Sequence, residues 1–222
     1  MLSRKVDGVV VADSFSDSNV VDPLEAAHVP YVLALRRLPE QLSVGIDDLL
    51  GGRLVAEHLL SLGHARFGVV AGDTRASTGA ERARGFLETC SEAGVHVSKN
   101  AVVPCTFDVR AGADAAVRVL EADPAVTAIF AASDNVALGV LGTLRDRGRS
   151  VPDDVALVGY NDLDLAAALP VPLTSVDSHL AEVGRRAMTA LLELMEGRSP
   201  SSQQLQPELV VRQSTTGRDR QP

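Results

Sequence analysis

Two apolar runs of this chain end alike. Thr127-Ala128-Ile129-Phe130-Ala131 runs into Ala132-Ser133-Asp134-Asn135, and Val155-Ala156-Leu157-Val158 runs into Gly159-Tyr160-Asn161-Asp162. Short apolar runs bounded by turn residues read as buried strands. In an open parallel sheet, ligands sit in the crevice outside the carboxyl ends of the strands. A strand that stops abruptly in Ser, Asp, Asn and Gly and then feeds a helix therefore points to small-molecule recognition. The reading is a binding module first and an enzyme second.

Outward from these runs, apolar stretches alternate with longer helical patterns. Strands are expected at 6–12, 31–35, 43–46, 65–70, 101–104, 127–131, 155–158, 174–176 and 208–212. Helices are expected at 52–62, 79–93, 110–122, 135–147 and 181–196. Leu54, His58 and Leu62 lie at i, i+4 and i+8, as do Val136, Val140 and Leu144, which is the period of one helix face. Gly63, Gly94, Gly148 and Gly197 each follow an expected helix end, where glycine takes the left-handed conformation that stops a helix. Strand–helix alternation of this kind predicts an α/β fold with parallel, doubly wound sheets. Ser199-Pro200-Ser201-Ser202 reads as a loop, and residues 218–222 as a disordered tail.

A chain of 222 residues, 45% hydrophobic and 23% charged, has material for one large domain or two lobes. Aromatics are only 3% with no Trp, so the core is expected to be Ala, Val and Leu. A net charge of −8 argues against these residues gripping a nucleic acid, which demands a basic face. Cys90 and Cys105 make no CxxC and no metal-ligand spacing, so both read as buried free thiols. The start, Met1-Leu2-Ser3-Arg4-Lys5-Val6-Asp7, has no apolar signal core, and no run approaches the roughly 20 residues of a membrane span. A cytoplasmic protein is expected.

The phosphate-loop, dinucleotide, nucleophile-elbow and HExxH signatures are absent, and no cofactor is implied. The five histidines are scattered; His58 and His64 suit structural roles. The positive signals are polar groups at strand ends. Arg82 falls in the first turn of its helix, where a cation opposes the helix dipole, so helix stability does not explain it. Its fixed fork of donors suits hydroxyl pairs, carboxylate or phosphate, a surface salt bridge being the alternative. Asp134 is either a helix N-cap or a ligand group. Asn161 and Asp162 suit a turn for local reasons as well as for binding. Phe107, beyond Cys105-Thr106, is either a stacking face for a sugar or base or a plug for the core. Replacing Arg82 by Ala is expected to abolish ligand binding and to leave the fold intact.

Taken in order, several segments resemble one family. Asp47-Asp48-Leu49-Leu50-Gly51-Gly52-Arg53, His58-Leu59 and Leu62-Gly63-His64 resemble the opening of the effector core of LacI/GalR-type transcriptional regulators. So do Arg82 followed by Gly85-Phe86, Ser133-Asp134 followed by Ala137-Leu138-Gly139, and Val151-Pro152-Asp153-Asp154-Val155. Gly159-Tyr160-Asn161-Asp162 and Pro172-Leu173-Thr174-Ser175-Val176 continue the match, which runs from about Val6 to Thr216.

The resemblance implies a two-lobed periplasmic-binding-protein-like fold with a ligand between the lobes. It places residues 1–46 and 177–199 in a partial first lobe, and 47–176 with 200–217 in the second. It implies effector contacts at Asp47, Thr78, Arg82, Phe107, Asp134 and Asn161. The implied effector is a sugar or sugar-like molecule, or a nucleobase. Most members carry Asp at the position of Asn161, so here an obligate acceptor becomes a donor and acceptor. The implied assembly is a homodimer that meets DNA only through an N-terminal helix-turn-helix head. This chain opens at what resembles the third strand of the first lobe, without that head, which leaves the first lobe incomplete. Two rival readings are a solute-binding protein of a sugar transporter and a sugar-processing enzyme with an acid/base pair among Asp134, Asp162 and Asp164.

Overall fold

Successive residues of a strand face opposite sides of its sheet, and that alternation sorts the core of the computed structural model, which describes residues 6–216. The chain opens with β1 (Val9–Val11), α1 (Asp22–Ala26), β2 (Tyr31–Leu35) and β3 (Ser43–Ile46). There follow α2 (Asp48–Ser61), β4 (Phe67–Ala71), α3 (Ser77–Glu92), β5 (Val102–Pro104) and α4 (Val109–Ala122). Next come β6 (Ala128–Ala131), α5 (Asp134–Asp146), β7 (Ala156–Asn161), α6 (Asp164–Ala168) and β8 (Thr174–Asp177). Last are α7 (Leu180–Met195), β9 (Gln203–Leu205), β10 (Glu208–Val210) and α8 (Gln213–Thr216). The expected tail at 218–222 lies outside the described residues.

The chain divides into two units. One holds the residues up to Asp47, with Arg75–Thr78 and His179–Leu205; the other holds Asp48–Thr74, Gly79–Ser178 and the residues from Gln206 on. In the first unit the strands pair in the order β1-β2-β3-β9, all parallel. Val32, Ala34, Val44 and Ile46 pack on Val183, Ala187, Ala190 and Leu191 of α7, while Val11 and Leu33 meet Val21 and Leu24 on the other face. Residues 200–205, which the sequence reading placed in the second lobe, run instead along β3: Val44 pairs with Gln203 and Ile46 with Leu205. The edge of β3 is what makes a strand of Gln203-Gln204-Leu205, which has no strand pattern of its own.

The second unit carries a six-stranded sheet in the order β10-β8-β7-β6-β4-β5. Five strands are parallel, and β10 is antiparallel to β8. Ile129, Ala131, Val70 and Leu157 face the helices α4 and α5, meeting Ala116, Val119, Val136, Val140 and Leu144. Their neighbours Ala128, Phe130, Val69, Ala156, Val158 and Tyr160 face α2 and α3, meeting Val55, Leu59, Phe86 and Cys90. Helices therefore cover both faces, as the doubly wound reading requires. Three of the five phenylalanines sit together here: Phe86 stacks on Phe130 at 5.3 Å and meets Phe67 edge-on at 5.4 Å.

Local chemistry sets the element ends. Gly63, Gly94, Gly148 and Gly197 all lie at positive φ just beyond their helices, as expected. Asp108 caps α4 by accepting from the Ala111 amide at 2.9 Å. Glycines also set how closely two helices cross. A Cβ on Gly52 of α2 would lie 2.1 Å from the Arg82 carbonyl oxygen of α3, and one on Gly85 would lie 2.0 Å from that of Leu49. Backbone meets backbone there. Along α2 the buried stripe is Gly51, Gly52, Val55, Ala56 and Leu59, so the Leu54–His58–Leu62 row lies beside the buried face rather than at its centre. The Val136–Val140–Leu144 row is fully buried.

His58 shares a 2.9 Å hydrogen bond with Thr215 Oγ1, and His64 one of 3.0 Å with Thr127 Oγ1, so both take structural places. Burial holds each imidazole below the ordinary histidine range, with the two rings also repelling each other's charge at His58. A depressed native pKa means the unfolded chain binds more protons just below about pH 6.5. Stability from this source is complete above that pH and is lost as pH falls through the native value. Denaturant titrations at about pH 7 and about pH 5.5 are expected to show a smaller drop in His58→Gln than in the parent chain; equal drops would remove His58 from the account. Cys90 is buried and Cys105 half-buried, both free, with burial pushing each thiol up to about 11.

Candidate functional site

The carboxyl ends of β6, β7 and β8 carry several polar clusters, and the first is built around Arg82. Thr78, Arg82, Phe86 and Cys90 follow one another at four-residue steps along α3, and all are buried. Arg82 is therefore carried into the core. Its Nε donates to Asp48 Oδ1 at 2.7 Å, and its Nη1 donates to the Ala132 carbonyl oxygen at 2.8 Å. The guanidinium carbon lies 3.7 Å from the centroid of the Tyr160 ring. Both charged groups are nearly sealed, at 5% exposure for Arg82 and 2% for Asp48. Burial raises the Asp48 carboxyl above its ordinary range, and the Arg82 guanidinium works against that rise. The phenol of Tyr160 fits because residue 51 is glycine: a Cβ there would stand 2.0 Å from Tyr160 Oη. The expectation that Arg82 contributes little to the fold is thus corrected, and so is its surface salt bridge. It is one half of a buried ion pair.

Asp134 is fully buried at the start of α5. Its Oδ1 accepts from Ser175 Oγ at 2.6 Å and its Oδ2 from the Leu163 amide at 2.8 Å. The N-cap is Ser133, whose Oγ accepts from the Val136 amide at 3.3 Å, so the capping role proposed for Asp134 passes to its neighbour. Asp134 instead ties the turn after β7 to β8. Burial raises its carboxyl, and the hydrogen bond from Ser175 opposes this. Gly159 leaves room for it, since a Cβ there would lie 2.3 Å from Asp134 Oδ1.

The end of β7 is conformationally unusual. Asn161 and Asp162, neither a glycine, sit at φ +99° and +50°. Asn161 is half-buried, and its Oδ1 accepts from Ser178 Oγ at 3.2 Å. Asp162 forms a two-pronged ion pair with Arg212, at 2.5 and 3.1 Å. Phe107, half-buried at the end of β5, lies over the end of β4. A Cβ on Gly72 would come within 2.3 Å of its ring.

Phe107, Asp134 and Asn161 thus lie at strand ends or helix starts of the second unit, while Arg82 lies in the second turn of α3 rather than the first turn expected. Asp47 and Thr78 fall in the first unit, at its junctions. The Asp47 amide donates to the Leu205 carbonyl at 2.9 Å, and Thr78 is buried in the first turn of α3. The reading from sequence missed Asp48, Tyr160, Ser175, Ser178 and Arg212 as partners. The four-residue stripe on α3 carried a signal for the first of these, since a buried Arg calls for an anion.

The periplasmic binding protein-like domain profile matches residues 56–215, and the chain belongs to that family. Its relatives narrow this. The transcriptional regulator CelR of Thermobifida fusca is 36% identical over 220 residues, covering 96% of this chain and 65% of that protein. A solved CelR–cellobiose complex superposes with a TM-score of 0.91 at 35% identity, covering 96% of this chain and 67% of that one. A LacI family regulator from Mycobacterium smegmatis gives 0.89 at 32% identity, over 96% of this chain and 80% of its own. Within the wider family, then, this chain belongs to the LacI family of transcriptional regulators, as the residue pattern implied. It spans about 65% of the length of the curated regulator it matches. Among the described residues no helix is long and apolar enough to cross a membrane.

Proposed function

We propose that this chain is the effector-sensing core of a LacI-type transcriptional regulator, taking a small sugar-like ligand at the strand-end mouth of its second unit. The observation that carries this reading is the backbone of Asn161 and Asp162. Two successive non-glycine residues at positive φ persist only where their surroundings hold them, and such strain gathers at ligand sites. Phe107 supplies an aromatic face at the same carboxyl edge of the sheet, over the end of β4, and cellobiose is the ligand of the relative's solved complex. An effector acts by binding one conformation more tightly than another. In the whole protein the consequence is felt by a DNA-binding head, in the cytoplasm and as a homodimer. The role is non-enzymatic. Both oxygens of Asp134 accept hydrogen bonds and Asp162 is paired with Arg212, which leaves a poor acid/base couple for sugar hydrolysis.

The test is a thermal-shift screen of the 222-residue chain against cellobiose, other disaccharides, hexoses, sugar phosphates and purine bases. A true effector at a hundredfold excess over Kd adds about 2.7 kcal/mol of stability. For a chain of this size that is a rise in Tm of roughly 5–10 °C. A cooperative melt unmoved by every saccharide would overturn the sugar reading, and a shift with a purine base alone would replace it with nucleobase sensing.

A further inference from the structure

We propose that Arg212 is a positioning residue for the ligand. Through its ion pair with Asp162 it holds the turn after β7 in the left-handed conformation that presents the Asn161 amide. This deepens the reading above and rests on it.

The turn needs a restraint. φ values of +99° and +50° at Asn161 and Asp162 are sparsely populated for residues that carry a Cβ. Left to itself such a segment relaxes to negative φ, and Asn161 turns elsewhere. Besides the Ser178 hydroxyl on the Asn161 side chain, three ties at Asp162 and Leu163 prevent this. The Asp162 amide donates to Ser175 Oγ at 3.1 Å, and the Leu163 amide donates to Asp134 Oδ2 at 2.8 Å. The third is Arg212, the only one of the three that grips a side chain of the turn. Its Nη1 donates to Asp162 Oδ1 at 2.5 Å and its Nη2 to Oδ2 at 3.1 Å, a geometry that fixes the carboxylate plane as well as its place. The guanidinium is itself anchored: Nη1 also donates to the Leu173 carbonyl at 2.8 Å, and the Arg212 amide donates to Thr174 Oγ1 at 2.8 Å. The pair is four-fifths buried, with side-chain exposures of 20% and 16%.

The same frame sets what the ligand must offer. Ser178 Oγ donates to Asn161 Oδ1, so the end of the amide that this hydroxyl leaves to a ligand is the NH2 donor. The turn therefore selects a ligand oxygen that accepts, such as a ring, glycosidic or hydroxyl oxygen.

The experiment compares the parent chain with Arg212→Met, Asp162→Gly and the double variant. Glycine adopts φ +50° without the Cβ penalty, so Asp162→Gly removes the share of the strain that lies at residue 162 and lessens the need for the restraint. Two readouts are taken: the backbone NMR chemical shifts of residues 161 and 162 without ligand, and the affinity for cellobiose. Arg212→Met is expected to lose the left-handed shifts and to weaken cellobiose binding roughly tenfold or more. The double variant is expected to recover part of both, a rescue that a merely structural arginine would not allow. If Arg212→Met melts too low to measure, Arg212→Lys keeps the charge without the fork and is expected to show a partial loss.

A wild-type turn and wild-type affinity in Arg212→Met would overturn the proposal, as would a double variant no better than Arg212→Met. If the parent chain binds no cellobiose while the turn still relaxes in Arg212→Met, the saccharide reading falls and the restraint by Arg212 stands.

Discussion

Arg82→Met is expected to cost about 3–5 kcal/mol of folding stability, the scale for stripping one partner from a buried ion pair. The reason lies with what remains. Asp48, 2% exposed, would keep a carboxylate in the core with its cation gone, and the Ala132 carbonyl would lose its donor. Without the guanidinium to oppose it, burial would lift the Asp48 carboxyl further, and the group would fold best protonated. A native pKa raised above the unfolded value gives stability that is present at low pH and lost as pH rises through the native value. The deficit of Arg82→Met should therefore shrink on acidification. Removing the carboxylate too, in Arg82→Met with Asp48→Leu, is expected to restore much of the loss, because apolar side chains of similar volume often replace a buried pair at little cost. Urea unfolding with an unchanged m-value is the check. An Arg82→Met variant within about 1 kcal/mol of the parent would show that the pair is not sealed. Any loss of ligand binding in an Arg82 variant is interpretable only well below its melting point.

This ion pair also marks the boundary of what the residues disclosed unaided. The strand-end logic at Asp134 and Asn161 needed only local sequence, since an apolar run followed by Asp, Asn and Gly states where a strand stops. The helix ends at Gly63, Gly94, Gly148 and Gly197 were equally local, for a positive φ is a property of one residue. Partners were not local. Asp48 is separated from Arg82 by 34 positions and Ser175 from Asp134 by 41, and only the pairing order of the sheet brings them together. Likewise β9 became a strand because β3 had an open edge, which no property of Gln203-Gln204-Leu205 announces. The cap at Ser133, where the residues alone had suggested Asp134, shows the same limit. Ser175 and Leu163 claim both oxygens of Asp134. Arg82 is the instructive case. The helix-dipole argument assumed a first-turn position, whereas α3 starts at Ser77 and Arg82 lies in its second turn; the four-residue stripe with Phe86 and Cys90 already placed it in the core.

Gly85→Ala is expected to be nearly as damaging as Arg82→Met, through packing rather than charge. The added methyl would stand 2.0 Å from the Leu49 carbonyl oxygen and 3.2 Å from the Arg53 amide nitrogen, both backbone atoms that no rotamer can withdraw. Relief requires α3 to move off α2. That displacement would carry Arg82 away from Asp48, because the crossing at Gly52 and Gly85 sets the reach of the ion pair. The expected cost is about 3 kcal/mol, the upper end for overpacking, with an effect at Gly52 of the same size. Two other helical glycines supply the contrast. A Cβ on Gly142 of α5 or Gly184 of α7 meets nothing within 4 Å. There the better helix propensity of alanine should stabilise the chain by about 0.5–1 kcal/mol. Four single Gly→Ala variants, melted side by side, thus separate the two causes. If all four lose stability alike, helix α2 does not approach α3 as closely as described; if Gly52 and Gly85 alone fall, the contact of the two backbones is what brings Arg82 to Asp48.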